Sequence, residues 1–280
     1  MESPHGAAVT AESLGMRGPR GWVFRNVTFS AAPGALVAVE GASGSGRTCL
    51  LLALTGRMRT TEGRAETGGL RLPKQAAAVR AIAALGPVPM VSELDPAFTV
   101  AEHLGERALL QGRYGASLRS LLRPRAERRA AATARVDEAL EAAGLDIAAL
   151  PKAGRTSVRD LERLEALRLS VALALIGKPR LLAVDDTDLK LSDAEREQAW
   201  ALLRSVAAGG TTVLAVCSEA PEDALVVRTD AAPGDRAPGT DAGPAGATAA
   251  AGTAPATDDP TTTITTDEET ADAFAETGRS

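Results

Sequence analysis

Aromatic residues make up only 2% of this 280-residue chain, cysteines number two, and lysines are four among 31 basic residues. With so few rings, stacking of bases on an aromatic platform is not available as a mode of recognition, and no nucleic-acid partner is expected. Cys49 and Cys217 fall in separate regular elements with no metal-ligand spacing, which fits small buried thiols in a reducing cytosol and predicts no structural disulfide. The preference for arginine over lysine, with abundant alanine, is a composition bias that carries no functional weight. No stretch approaches the roughly 18 uninterrupted apolar residues of a membrane span, and Met1 to Arg20 lacks the apolar core of an export signal. A cytoplasmic chain, neither exported nor membrane-spanning, is expected.

What is present is aliphatic. Hydrophobic residues reach 45%, so a core can be built from Ala, Val and Leu, as suits helices packed on a parallel sheet. From about Thr229 onward the large apolar residues run out, and Ala, Thr, Gly, Pro and Asp remain, a composition that cannot repay the entropy of ordering. Residues 229–280 are expected to be a disordered acidic tail. Its ten acids against Arg236 and Arg279 give −8, which leaves the remainder at +3 out of a total of −5.

Before that tail, strand and helix patterns alternate. Trp22 to Phe29 reads as a strand, Pro33-Gly34 as a turn, and Ala35 to Glu40 as a buried strand. Thr48 to Thr55 is an apolar helix closed by Gly56, and Thr61 to Leu72 reads as strand and turn. Ala81 to Val88 is a strand candidate, followed by helices at Thr99–Gln111, Arg125–Ala143 and Leu161–Ile176. Arg180–Asp185, Thr211–Cys217 and Ala224–Arg228 read as strands, with a helix at Asp193–Ala208 between the first two. Strands at both ends and helices alone from about 99 to 176 predict a parallel α/β core with a helical insert.

Two clusters carry chemistry. Gly41-Ala-Ser-Gly44-Ser-Gly46-Arg47-Thr48 follows an apolar strand and opens a helix. Glycines there let successive amide N–H groups converge on phosphate oxygens, and the helix N-terminus adds a partial positive charge. Gly41, Ser43, Gly44, Ser45, Gly46, Arg47, Thr48 and Cys49 are the expected nucleotide contacts, with the Thr48 hydroxyl on a magnesium ion and the Arg47 cation at the outer phosphates. Arginine keeps the charge lysine would bring, but its planar fork is wider. The second cluster is Leu181-Leu-Ala-Val184-Asp185-Asp186, an apolar strand that delivers two carboxylates at its C-terminal end, where open parallel sheets bind ligands. Asp185 is the expected metal ligand opposite Thr48, and Asp186 the expected catalytic group that orients or deprotonates an attacking water.

In this order the motifs resemble the ATP-binding cassette (ABC) of transporters over about residues 14–228, with residues 1–13 as a leading segment. Leu181 to Asp186 resembles the family's Walker B strand. The helix before it, ending Val171-Ala-Leu-Ala-Leu-Ile-Gly-Lys-Pro-Arg180, resembles the stretch that precedes that strand. The resemblance implies a P-loop NTPase core sheet with antiparallel N-terminal strands and a helical insert. It also implies ATP and Mg²⁺ as cofactors, and a multi-span membrane permease and a second nucleotide-binding domain, alike or different, as partners. A position at the inner face of the membrane, held through the permease, follows from the same likeness.

Several motif positions depart from that family. The signature Leu-Ser-Gly-Gly-Gln falls on Leu161-Glu-Arg-Leu-Glu165, keeping only its leucine; Met90 stands at the Q-loop glutamine, Asp186 at the catalytic glutamate and Ser218 at the switch histidine. The D-loop stretch Leu189-Lys-Leu-Ser192 lacks the final aspartate. Two expectations follow: a cassette that hydrolyses ATP, alone or with a partner that supplies an intact signature, and one that binds ATP without hydrolysing it.

Smaller features each have two readings. Arg113, Arg119, Arg123, Arg125, Arg128 and Arg129 make the entry to the insert basic, as a solvated face or a contact for a permease or anionic headgroups. His103 reads as structural. Trp22 is either a packed strand residue or a ring for adenine to stack on.

Overall fold

The computed structural model describes residues 5–114 and 124–229. The chain divides into two units, Met1–Asp235 and Arg236–Ser280, and the second lies outside the described residues. So does most of the expected acidic tail, together with Arg119 and Arg123 of the basic cluster.

The elements run β1 (Val9–Gly18), β2 (Gly21–Ala31), β3 (Leu36–Gly41), α1 (Arg47–Leu54), β4 (Glu62–Thr67), β5 (Leu70–Leu72), α2 (Ala76–Ile82) and β6 (Ala83–Leu85). There follow α3 (Val100–Tyr114), α4 (Arg125–Ala143), three short 3-10 turns between Ile147 and Asp160, α5 (Arg163–Leu175), β7 (Leu181–Val184), α6 (Asp193–Ala208), β8 (Thr212–Cys217) and β9 (Leu225–Thr229). Two sheets form. One is antiparallel where paired, in the order β2-β1-β4-β5; the other is parallel, in the order β6-β7-β8-β3-β9.

The inner parallel strands β3, β7 and β8 are buried on both faces, which is why they read as continuous apolar runs rather than alternating ones. Their side chains still alternate between two cores. Val37 and Val39, Leu181 and Ala183, and Leu214 and Val216 join the core that holds α1 and the antiparallel sheet. Ala38, Leu182, Val184, Val213, Ala215 and Cys217 join the core against α5 and α6. Sandwiched between the sheets, α1 buries Leu50 to Leu54 without a break, so it is apolar all round. α6 starts on a reciprocal capping box, with Ser192 Oγ accepting from the Glu195 N–H and the Glu195 carboxylate accepting from the Ser192 N–H at 2.8 Å.

Three expectations need correction. The boundary expected at residue 14 falls inside β1, which begins at Val9. Val9 and Ala11 point into the core, then Leu14 and Met16 do, a change of parity across Ser13, whose φ is +46°. That irregularity erases the period-2 signal from the sequence. The expected strand Ala81–Val88 divides into the end of α2 and the three-residue β6, and beyond it Pro87 and Pro89 have no N–H to continue a ladder. Thr229, taken as the first tail residue, is the buried last residue of β9.

Candidate functional site

Because all neighbours in the second sheet are parallel, the C-terminal ends of β3, β8 and β7 lie side by side, and the residues that leave those ends share one edge. From β3 the chain turns through Ala42 to Gly46 into α1, with the Ser45 N–H donating to the Ala42 carbonyl at 3.0 Å. Gly44 and Gly46 take left-handed φ of +80° and +83°, so the loop curls rather than extends. Gly46 is the N-cap of α1 and offers no side-chain cap, so the first amides of the helix have no side-chain acceptor. That is the arrangement in which a helix N-terminus takes an anion.

Each expected site residue can now be placed. Ser43 and Gly44 are exposed at the tip of the loop, while Ser45 is buried and shares a hydrogen bond with the Thr229 hydroxyl at 2.7 Å. At the base of the loop, a Cβ on Gly41 would lie 2.5 Å from Ser45 Oγ, so only glycine admits this contact. Arg47 reaches across to β8, where its Nη1 donates to the Cys217 carbonyl at 2.6 Å. Cys49 packs its side chain on the apolar core, which leaves its backbone N–H as the group on the loop side. Burial, and next the nearby Asp185, push the Cys49 thiol pKa up. Cys217 is pushed up to about 12 by burial first and then by Asp188 and Glu40, so neither sulfur is a reactive thiolate.

Thr48 and Asp185 meet. The Thr48 hydroxyl donates to Asp185 Oδ2 at 2.6 Å, and Asp185 Oδ1 accepts from the Asp186 N–H at 2.9 Å. Asp185 is 2% exposed. Burial raises its carboxyl pKa above the ordinary value, against the opposing pull of the hydrogen bonds from Thr48 and Asp186. Among the described residues no cluster of three or more His, Cys, Asp or Glu could hold a metal by itself. Two hard oxygen atoms 2.6 Å apart nonetheless fit part of the shell of a magnesium ion, which keeps several waters and takes phosphate oxygens for the rest. Asp186 has φ of +49° and lines a cavity of about 370 Å³ with Pro87, Leu94, Arg163 and Leu191.

The departing positions have structural roles of their own. Met90 is 95% exposed with φ of +60°. Glu162 and Glu165 form a capping box at the start of α5, Glu162 as N-cap, where their charge complements the helix dipole. Ser218 donates its N–H to Asp188 Oδ2 at 2.7 Å, and the Glu219 N–H donates to the same oxygen at 3.3 Å. Asp188 is buried, and sequence reasoning passed over it; its only signal was a third acid shortly after the apolar strand of Asp185.

Asp188→Ala leaves two N–H groups without their acceptor and is expected to lower unfolding free energy by about 1–3 kcal/mol, whereas Asp188→Asn, which keeps an acceptor oxygen, loses less. Urea unfolding of the two variants measures the difference.

Trp22 carries the Arg25 guanidinium 4.5 Å from its ring centroid and that of Arg17 at 5.8 Å. His103 Nε2 lies 3.2 Å from the Asp95 carbonyl, and its ring tilts on Phe98 at 5.4 Å. Arg125, Arg128 and Arg129 are exposed on the first turns of α4. The backbone of Arg113 lies in α3.

Comparison with known proteins adds kinship to this geometry. A family model described as ABC transporter matches residues 24–188. The Nod factor export ATP-binding protein I of Paraburkholderia xenovorans (strain LB400) is 30% identical over 196 residues, 69% of this chain and 56% of that protein. Its counterpart in Burkholderia lata is 33% identical over 193 residues, again 69% of this chain and 56% of the relative. The chain thus spans little more than half the length of these curated relatives. Among solved structures, a dimeric bacterial ABC transporter cassette aligns with a TM-score of 0.61 at 19% identity, covering 79% of this chain and 94% of that one. A bacterial Atm1-family ABC exporter with ATP bound aligns with a TM-score of 0.59 at 24% identity, covering 82% of this chain and 38% of that one. Both likenesses concern the fold.

Proposed function

The chain belongs to the ABC transporter family as an ATP-binding protein with the P-loop NTPase fold, and from that premise we propose that it binds Mg-ATP and couples it to a separate membrane permease. The observation that carries this reading is the meeting of Thr48 and Asp185 at 2.6 Å, below a glycine loop curled at the carboxyl edge of the parallel sheet. In the proposal the backbone N–H groups from Gly41 to Cys49, Ser43, Ser45 and Gly46 among them, cradle the phosphates, with Gly44 keeping the loop tip open. Arg47 supplies the cation, from a position where one of its N–H groups already binds Cys217. Magnesium, when bound, neutralises phosphate charge; Thr48 and Asp185 would hold it. Asp186 would orient or accept a proton from a water at the mouth of its cavity.

Among the described residues no helix is long and apolar enough to cross a membrane; in this reading the permease supplies the transport path. The protein then works at the cytoplasmic face, paired with a second cassette that is alike or different.

A second reading is favoured by specific positions: binding of ATP as a conformational ligand without turnover. Glu162 and Glu165 are committed to capping α5, Met90 points into solvent, and Ser218 offers its backbone to Asp188. Two measurements divide the possibilities. Calorimetry with Mg-ATP should give a saturable isotherm, and its absence would end both readings. Phosphate release that is clear in the wild type and falls by about 100-fold or more in Asp186→Asn supports hydrolysis, within the range that a general base contributes; no release above background supports the non-hydrolysing cassette.

A further inference from the structure

Ser45 is the only buried residue of the stretch Ala42 to Gly46; Ala42, Ser43 and Gly44 are exposed and Gly46 is half-buried. Its neighbours on both sides are glycines at left-handed φ, which have no side chain to restrain the backbone. The anchor comes from another strand. Ser45 Oγ and Thr229 Oγ1 lie 2.7 Å apart across 184 positions of sequence, and Thr229 Oγ1 is 3.5 Å from the Glu40 carbonyl. The order that uses both hydroxyl hydrogens has Ser45 donating to Thr229 and Thr229 donating to Glu40. Ser45 is 1% exposed and Thr229 2%, so bulk water does not compete for this pair. Thr229 is also the β9 partner of Gly41, where the chain leaves β3, and a Cβ on Gly41 would lie 2.5 Å from both hydroxyl oxygens. The root of the loop and its middle are therefore tied to one residue at the end of β9.

We propose that Thr229 is a positioning residue for the phosphate loop: it holds Ser45 in the curled conformation before nucleotide arrives, so that nucleotide affinity depends on the end of β9. This rests on the nucleotide reading above. A loop held in its binding conformation loses less freedom on binding, and time spent in other conformations weakens the apparent affinity in proportion. Without the Thr229 hydroxyl, Ser45 Oγ becomes a buried donor lacking its acceptor, and the loop must open towards water to satisfy it.

The test uses the full chain, with Mg-ATP titrated by calorimetry and thermal unfolding followed in parallel. Thr229→Val, which keeps the shape and removes the hydroxyl, is expected to weaken Mg-ATP binding about tenfold, and Thr229→Ser to stay within about twofold of the wild type. Ser45→Ala breaks the same hydrogen bond from the loop side and stands in if Thr229→Val does not fold. Its loss and that of Thr229→Val should overlap in the double variant rather than add. Leu140→Ala, in the core against α4, should lower Tm and leave affinity unchanged, which separates positioning from stability. In the nucleotide-free protein the Ser45 amide, which donates to the Ala42 carbonyl, should exchange hydrogen about tenfold faster in Thr229→Val. Wild type that binds Mg-ATP beside a Thr229→Val of equal affinity, or of unchanged Ser45 exchange, overturns this proposal alone. So does a Thr229→Ser that loses as much as Thr229→Val, or a Leu140→Ala that weakens binding equally. Absence of binding in the wild type ends the nucleotide reading and this proposal with it.

Discussion

Gly46→Ala is expected to remove nucleotide binding and to destabilise the fold by about 3 kcal/mol, with Gly44→Ala as its much milder neighbour. Both glycines sit at left-handed φ, +83° and +80°, where a Cβ meets its own backbone at a cost of about 1–2 kcal/mol. They differ in what surrounds them. A Cβ on Gly46 would lie 2.4 Å from the Val23 carbonyl oxygen, so β2 or the loop must shift, and displacements of that kind add about 1–3 kcal/mol. A Cβ on Gly44 meets nothing within 4 Å. The difference between the two variants therefore isolates the seat of β2 on the loop. For a domain of this size about 3 kcal/mol corresponds to a fall in Tm of about 10 °C, readable by calorimetric scan alongside Mg-ATP titration. Equal losses in the two variants would show that backbone strain alone, and not the close approach of Val23, is responsible.

The second large effect has opposite signs in two assays. Asp185→Asn is expected to stabilise the metal-free protein by about 1 kcal/mol near neutral pH while lowering Mg-ATP affinity by about 10- to 100-fold. The sign follows from the raised carboxyl pKa, caused first by burial. An acid whose folded pKa lies above its unfolded value favours folding while protonated. Its contribution is whole below the ordinary carboxylate range and is lost as pH rises through the folded value, so near neutrality the buried charge opposes folding. Asparagine keeps the acceptor for the Asp186 N–H and carries no charge. The gap in Tm between Asp185→Asn and the wild type should thus widen in favour of the variant as pH rises out of the carboxylate range. ATP affinity without magnesium should hold or rise, because one negative charge has left the neighbourhood of the phosphates. A loss of stability in Asp185→Asn at neutral pH would refute the account.

Much of this architecture was legible along the chain because its signals are local. The phosphate loop, the apolar β3 and β7, and the capped helices α4 and α6 are each written within about twenty residues as a hydrophobic period, a glycine or an acid at a helix start. α6 and α4 occupy the residues that capping and periodicity predict. β1 was missed because the change of parity at Ser13 breaks the alternation that identifies a strand, and β6 was overextended because a three-residue edge strand has too few residues to show a period. Thr229 belongs to β9 rather than to a tail because its burial depends on Ser45, 184 positions away, and no window of sequence contains both.

The sequence by itself determined that a strand ends in a glycine loop that opens a helix, and that another strand ends in Asp185 and Asp186. Whether those ends meet depended on strand order. The insertion of β8 between β7 and β3 brings the Cys217 carbonyl to Arg47 and the amides of Ser218 and Glu219 to Asp188, while Thr48 and Asp185 close at 2.6 Å. Strand order is settled by which apolar faces bury together over the whole chain, a sum of non-directional terms that leaves no mark in local periodicity.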